Sequence, residues 1–154
     1  MGIDLGTSRV VARKINQEVD TANRTFTTTW ADGKVWEQHR YKAGSKLLLN
    51  IYIPCENDTT GWGGGYLEIQ YNINNSGWQS LGHSGYTMAM AYPARLVDAY
   101  NNTILFDPDQ TNDFDLQFKF RHRSYGNTLE VNVGTDFSGD SFATHLIIEE
   151  ILKS

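Results

Sequence analysis

The residues able to do chemistry in this chain are scattered. Four histidines, His39, His83, His122 and His145, show neither a His-x-His nor a His-Glu-x-x-His spacing. A metal site would therefore need them to converge from separate segments, and a hydrogen-bonded structural role is the expectation for each. Carboxylates come in pairs at Asp107/Asp109, Asp113/Asp115 and Glu149/Glu150. Glycoside hydrolysis needs two carboxyls facing each other across a cleft, so adjacency alone is uninformative. Asp107-Pro108-Asp109 and Asn112-Asp113 read instead as polar turns, with a calcium site as the lesser alternative. Gly82-His83-Ser84-Gly85 is one residue short of the Gly-x-Ser-x-Gly nucleophile elbow. Trp62-Gly63-Gly64-Gly65 lacks the Gly-Lys-Ser/Thr ending of a phosphate loop. Cys55 is the single cysteine, which excludes an intrachain disulfide and a thiolate-rich zinc site. No enzymatic activity, cofactor or metal is expected, and a hydrolase using Glu68 and Asp115 stands as a distant alternative.

What remains is suited to contact. Trp30, Trp36, Trp62 and Trp78 have Tyr66, Tyr71 and Tyr86 near them in sequence. Flat amphipathic rings bury much area at low entropic cost, so they serve as core, as sugar platforms or as interface anchors. Trp30 and Trp36 flank Asp32-Gly33 in a hairpin-like segment and are assigned to the core. Trp62 and Trp78 lie beside glycine in loops and are the candidates for surface recognition. Gly2-Ile3-Asp4-Leu5-Gly6-Thr7-Ser8 looks like the first phosphate loop of the actin and sugar-kinase superfamily. No strand precedes it and 154 residues cannot hold two lobes, so it is read as coincidence.

The elements that must position these residues are strands. The chain has 14 Thr, 12 Asn, 9 Ser and 14 Gly against 9 Ala and 7 Glu, a balance that favours strands joined by turns over packed helices. Leu116, Phe118 and Phe120 alternate with Gln117, Lys119 and Arg121; Leu67, Ile69, Tyr71 and Ile73 alternate with Glu68, Gln70 and Asn72. This period of two predicts half-buried strands. Further strands are predicted at 25–30, 47–53, 86–91, 103–106, 129–133 and 144–152, the last with a short helix as the alternative. Turns are predicted at Asp32-Gly33, Ala43-Gly44-Ser45, 61–65, 74–77, Asn101-Asn102, Asp107-Pro108 and Gly126-Asn127. Strands this short with turns this frequent imply an all-β antiparallel β-sandwich or barrel of one domain.

Residues 1–24 differ from the rest and are predicted to form an N-terminal arm preceding a sandwich at 25–154. Arg9, Arg13, Lys14 and Arg24 make the arm basic, and Val11, Ile15 and Val19 are spaced by four, as on one face of a short helix. Two readings stay open: a frayed terminus, or an arm that orders on a neighbouring protein. Thirteen basic against 18 acidic residues give a net charge of −5, which argues against nucleic-acid binding. No apolar run approaches the roughly 18 residues of a membrane helix, and no signal peptide is evident, so no membrane partner is expected.

Two stretches together resemble a known type of protein. One runs from Tyr41 to Tyr86 and includes Lys42-Ala43-Gly44-Ser45-Lys46-Leu47, Ile53-Pro54-Cys55, Trp62-Gly63-Gly64-Gly65-Tyr66 and Trp78-Gln79-Ser80-Leu81-Gly82-His83-Ser84-Gly85-Tyr86. The other includes Phe120-Arg121-His122-Arg123-Ser124-Tyr125 and Leu129-Glu130-Val131-Asn132, followed by 144–151. The pattern resembles the β-sandwich heads of virion surface proteins of tailed bacteriophages, those of cyanobacteria and marine bacteria in particular. The resemblance implies a jelly roll of the tumour-necrosis-factor type that forms a homotrimer. It further implies a virion-surface location after synthesis in the host cytoplasm. Such heads decorate and cement capsids or cap tail fibres. About two dozen residues before the first strand are too few for a long fibre shaft at ~1.5 Å per residue, which favours the cement role. In that role Arg9, Val11, Arg13, Lys14, Ile15 and Val19 would anchor to the major capsid protein or other virion subunits. Phe118, Phe120, His122 and Tyr125 would face the trimer axis, unless the two phenylalanines fill the monomer core. In the fibre-tip or baseplate alternative, Trp62 and Trp78 would contact a host glycan.

Overall fold

The computed structural model describes residues 14–22, 24–25, 27–57, 63–81, 86–90, 97–126, 129–131 and 143–152. Twelve strands, and no helix among the described residues, form two antiparallel sheets. In the first sheet β1 (Ile15–Asp20) pairs with β12 (Thr144–Ile151), β12 with β5 (Lys46–Asn57), and β5 on its other edge with β9 (Val97–Phe106). β11 (Leu129–Val131) extends the β12 side of β5 and carries β2 (Arg24–Thr25). In the second sheet β10 (Phe114–Gly126) lies between β6 (Gly63–Ile73) and the pair β3 (Ala31–Val35) and β4 (His39–Tyr41). β7 (Gln79–Ser80) and β8 (Tyr86–Met90) cover the far edge of β6. The long strands switch sheets in succession, β5 in the first, β6 in the second, β9 in the first, β10 in the second and β12 in the first. This switching is the jelly-roll form of an antiparallel sandwich.

Alternation builds the core. Leu47, Leu49, Ile51 and Ile53 of β5 and Leu146 and Ile148 of β12 are buried, and they meet Leu116, Phe118 and Phe120 of β10 and Leu67 and Ile69 of β6. Each such side chain contributes roughly 1.5–3 kcal/mol on burial. The Phe106 ring stands edge-on to Phe118 at 6.0 Å, and Trp36 lies 5.6 Å from Phe120. In β12 burial alternates strictly from Thr144 to Ile151, which decides for the strand over the helix.

Several expectations change. Asn101-Asn102 lies within β9, and Gly63–Gly65 lies within β6 rather than in a turn. Asp32-Gly33 likewise lies within β3, and its glycine serves close approach. A Cβ there would fall 2.0 Å from Cε2 of Phe120. Predicted turns that do form include 43–45, where Gly44 has φ 71°, and 74–77. In the latter Asn74 and Asn75 have φ 50° and 59°, and Ser76 N–H donates to the Ile73 carbonyl at 2.9 Å, as in a type I′ hairpin turn.

The largest correction concerns the arm. Ile15–Asp20 is not helical but pairs in register with Glu149 to Thr144 of β12. A spacing of four is even, so it places Ile15 and Val19 on one face of a strand as well as of a helix. The unpaired edge of β12 decides between them by supplying backbone partners. The sandwich therefore begins no later than β1, and an arm of 1–24 is too long; Arg9, Val11 and Arg13 lie outside the described residues.

Gly33→Ala should destabilise the protein by about 1–3 kcal/mol, because the Phe120 ring, fully buried against Trp36, has no free volume to yield. Urea unfolding at constant m checks this.

Candidate functional sites on the two outer sheet faces

Outward residues of the first sheet form cross-strand rows. Ile15, Glu149, Leu48 and Leu105 are successive Cα partners across β1, β12, β5 and β9. Val19, His145, Tyr52 and Asn101 form another row, and Ile147 lies between the two. Ile15, Val19 and Leu105 are 54%, 49% and 60% exposed. This face presents aliphatic and aromatic surface to solvent, bordered by polar groups, and its chemistry is that of a contact surface. Of the proposed anchoring residues it gathers Ile15 and Val19. Lys14 points elsewhere, with its ammonium 5.5 Å from the Tyr41 ring centroid and donating to the Arg40 carbonyl at 3.3 Å.

The outward side of β10 carries cations between aromatic rings. Lys119 Nζ donates to both Asp32 carboxylate oxygens, at 3.0 and 2.9 Å, and lies 4.5 Å from the Trp78 ring centroid. Arg121 is bracketed by Asp32 and Glu68 and lies 5.4 Å from Trp30. Arg123 is sandwiched between Trp30 at 5.1 Å and Tyr66 at 4.6 Å. Trp30, assigned to the core by sequence, is instead half-buried on this outer face. Trp78 belongs to the same ladder, and Trp62 lies outside the described residues. Planar guanidinium and indole groups in one row form a platform for flat or anionic groups. The aromatic partners of these cations are Trp30, just before β3, Tyr66 of β6 and Trp78 in the loop before β7, which only the strand register brings alongside.

Three of the four trimer-axis candidates are buried. Phe118, Phe120 and His122 are 1%, 0% and 2% exposed, so the two phenylalanines fill the monomer core, the alternative the sequence left open. Tyr125 sits near the end of β10, and its side chain lies outside the described residues. Burial, reinforced by Arg24, pushes the His122 imidazole down to about 4, with Asp32 opposing more weakly.

The carboxylate pairs serve the structure. Asp107 accepts from the Asp109 N–H at 3.2 Å, an Asx turn, and pairs with Lys46 at 2.5 Å. Asp113 accepts from Lys42 Nζ and the Ala43 N–H, both at 3.0 Å, which hold its carboxyl below the usual range. Glu150 is buried and accepts from the Lys42 N–H at 2.9 Å and Ser45 Oγ at 2.7 Å, tying the turn at 43–45 to β12. Adjacency did not reveal that role, because Glu149 and Glu150 point to opposite faces of one strand.

No protein-family model matches the sequence, and no curated protein matches it. Among solved structures, the chain resembles parts of infectious bursal disease virus particles. The Gx-strain structure shares 9% identity over all of this chain and 41% of that one, at TM-score 0.47. A T=1 particle derived from that virus gives 9%, 100%, 40% and 0.49, and the VP2 subviral particle gives 12%, 100%, 42% and 0.37. The chain thus spans about two fifths of the length of the proteins it resembles.

The His122 imidazole gives a pH dependence of known sign. Its native value lies below the ordinary 6.5, so above pH 6.5 it costs nothing; as pH falls towards 4 the unfolded chain binds the proton and the native chain does not. Stability should fall by about 3 kcal/mol across that window, and His122→Leu should flatten this part of the profile in urea melts at a series of pH values.

Proposed function

We propose that this protein is a structural component of a virus particle, of the tailed-phage decoration type, which assembles as a homotrimer and cements neighbouring capsid subunits. The observation that carries the reading is the exposed aliphatic face of the first sheet, with Ile15, Val19 and Leu105 about half exposed on a small sandwich. A cement protein acts by burying such surface across subunit junctions, and many identical weak contacts then add through avidity. The residues before β1, with Arg9, Val11 and Arg13, extend this attachment to the capsid. The trimer contact in this reading belongs to the first sheet's outer face, since Phe118 and Phe120 are committed to the core.

The test is assembly. The purified chain should run as a trimer in light scattering and bind virions stripped of it. A Val19→Asp/Leu105→Asp double variant should keep its thermal midpoint within a few degrees and lose assembly, as should removal of residues 1–13 for capsid binding alone. A monomeric parent chain, or a double variant that assembles normally, would refute the proposal.

A second reading is favoured by the aromatic-cation ladder of β10. A tail-fibre or baseplate tip would offer Trp78, together with Trp30 and Tyr66, to a host glycan by ring stacking. Binding on a glycan array should then drop at least tenfold, about 1.4 kcal/mol, in Trp78→Ala, whose partly exposed side chain is not part of the core. An array on which the folded chain binds nothing removes this reading and leaves the first intact.

A further inference from the structure

Glu18 of β1 reaches out of the first sheet towards the second. Its Oε1 lies 2.7 Å from Nε2 of His39, and its Oε2 accepts from the Glu37 N–H at 3.4 Å. One ligand atom from each of Glu18, Glu37 and His39 lies within 4.8 Å of the other two. Glu18 in β1 lies 19 and 21 residues before Glu37, in the link after β3, and His39, in β4, so only the closed sandwich brings it to them. Among the described residues no lysine or arginine forms an ion pair with Glu18 or Glu37, whereas Asp20, Asp32, Glu68, Asp107, Asp113 and Asp115 each have at least one. Among the described residues, two carboxylates thus share a small volume with one imidazole and no paired lysine or arginine.

We propose that Glu18, Glu37 and His39 bind a first-row divalent cation, Zn²⁺ or Mn²⁺, which clamps the edge strand of the first sheet to the second. One imidazole nitrogen with two carboxylate oxygens is a mixed donor set that suits these ions better than Ca²⁺ or Mg²⁺, which prefer oxygen alone. For tetrahedral Zn²⁺, bonds of about 2.0–2.2 Å place ligand atoms about 3.3 Å apart. The His39–Glu18 contact must therefore open by roughly 0.6 Å while the Glu37 carboxylate swings inward. Glu37 is exposed and free to make that movement, and His39 and Glu18 are partly shielded, with side chains 19% and 12% exposed. Three protein donors leave at least one position for water. The clamp adds to the contacts β1 already makes with the second sheet, among them Asn16 Nδ2 donating to the Tyr41 hydroxyl at 2.9 Å.

The full chain, dialysed against chelator, is titrated with Zn²⁺ and with Mn²⁺ by calorimetry, with thermal unfolding and amide exchange of residues 15–20 followed in parallel. Saturable binding of one ion per chain is expected, with a midpoint rise of about 5–10 °C at a hundredfold excess over Kd and slower exchange in β1. Glu37→Gln and His39→Gln should each weaken binding at least tenfold. Glu37→Gln alters only an exposed side chain, so its circular dichroism should match the parent. Asp109→Asn, an exposed carboxylate outside this cluster, should bind like the parent. The proposal is overturned if neither ion binds saturably, if Glu37→Gln and His39→Gln bind within twofold of the parent, or if Ca²⁺ or Mg²⁺ binds more tightly.

Discussion

Strand β10 has to satisfy two environments at once, and the rest of the sandwich is arranged around that constraint. Its inward residues Phe114, Leu116, Phe118 and Phe120 are buried against the aliphatic wall of β5 and β12. Its outward residues Lys119, Arg121 and Arg123 carry the charged and aromatic ladder. Both faces depend on one register with β6, held from Leu116–Ile73 to Gly126–Gly63. A slip by one residue would exchange Phe118 and Phe120 for Lys119 and Arg121, so the core itself enforces the order of the surface ladder. The bulge between Lys119 and Arg121 against β3, with Gly33 beneath Phe120, is the local accommodation of bulky rings at that seam.

The second constraint is closure of the sheet edge. β12 would offer an unpaired row of backbone groups if β1 were absent, and small sandwiches with open edges associate indiscriminately. β1 occupies that edge and is secured to the other sheet through Asn16–Tyr41 and Glu18–His39. The hydroxyl of Tyr41 is pushed up to about 12 by burial, so it stays protonated and serves as a hydrogen-bonding group throughout the physiological range. Segments that read as peripheral in the sequence thus complete the head, and they leave Ile15 and Val19 on its outer surface.

The strand content was legible because alternation is a local property. Leu116 to Phe120 and Leu67 to Ile73 carry their burial pattern in the order of residue types, and the structure places them as expected. Turns were legible where backbone chemistry requires them, at Gly44 and at Asn74-Asn75. They were misread where glycine or asparagine serves another purpose. Gly33 is small because a ring lies above it, and in the middle of β9 Asn101 faces outward opposite Tyr52 while Asn102 faces inward opposite Ile51 and donates to the Tyr100 hydroxyl at 3.1 Å. Neither reason has any signature within a few residues along the chain.

The amino-acid sequence by itself determined the all-β class, the single core and the division of most strands into buried and exposed faces, since these follow from hydrophobic period and turn chemistry acting over neighbouring residues. Tertiary structure alone decided which strands are neighbours. It therefore also decided that residues 15–20 form a strand, that Phe118 and Phe120 lie inside rather than on an axis, and that Arg123 stands between Trp30 and Tyr66. The convergence of Glu18, Glu37 and His39 belongs to the same level. The physical reason is common to all of these: cross-strand contacts join residues tens of positions apart, and their energy exists only once the two sheets have closed on one another.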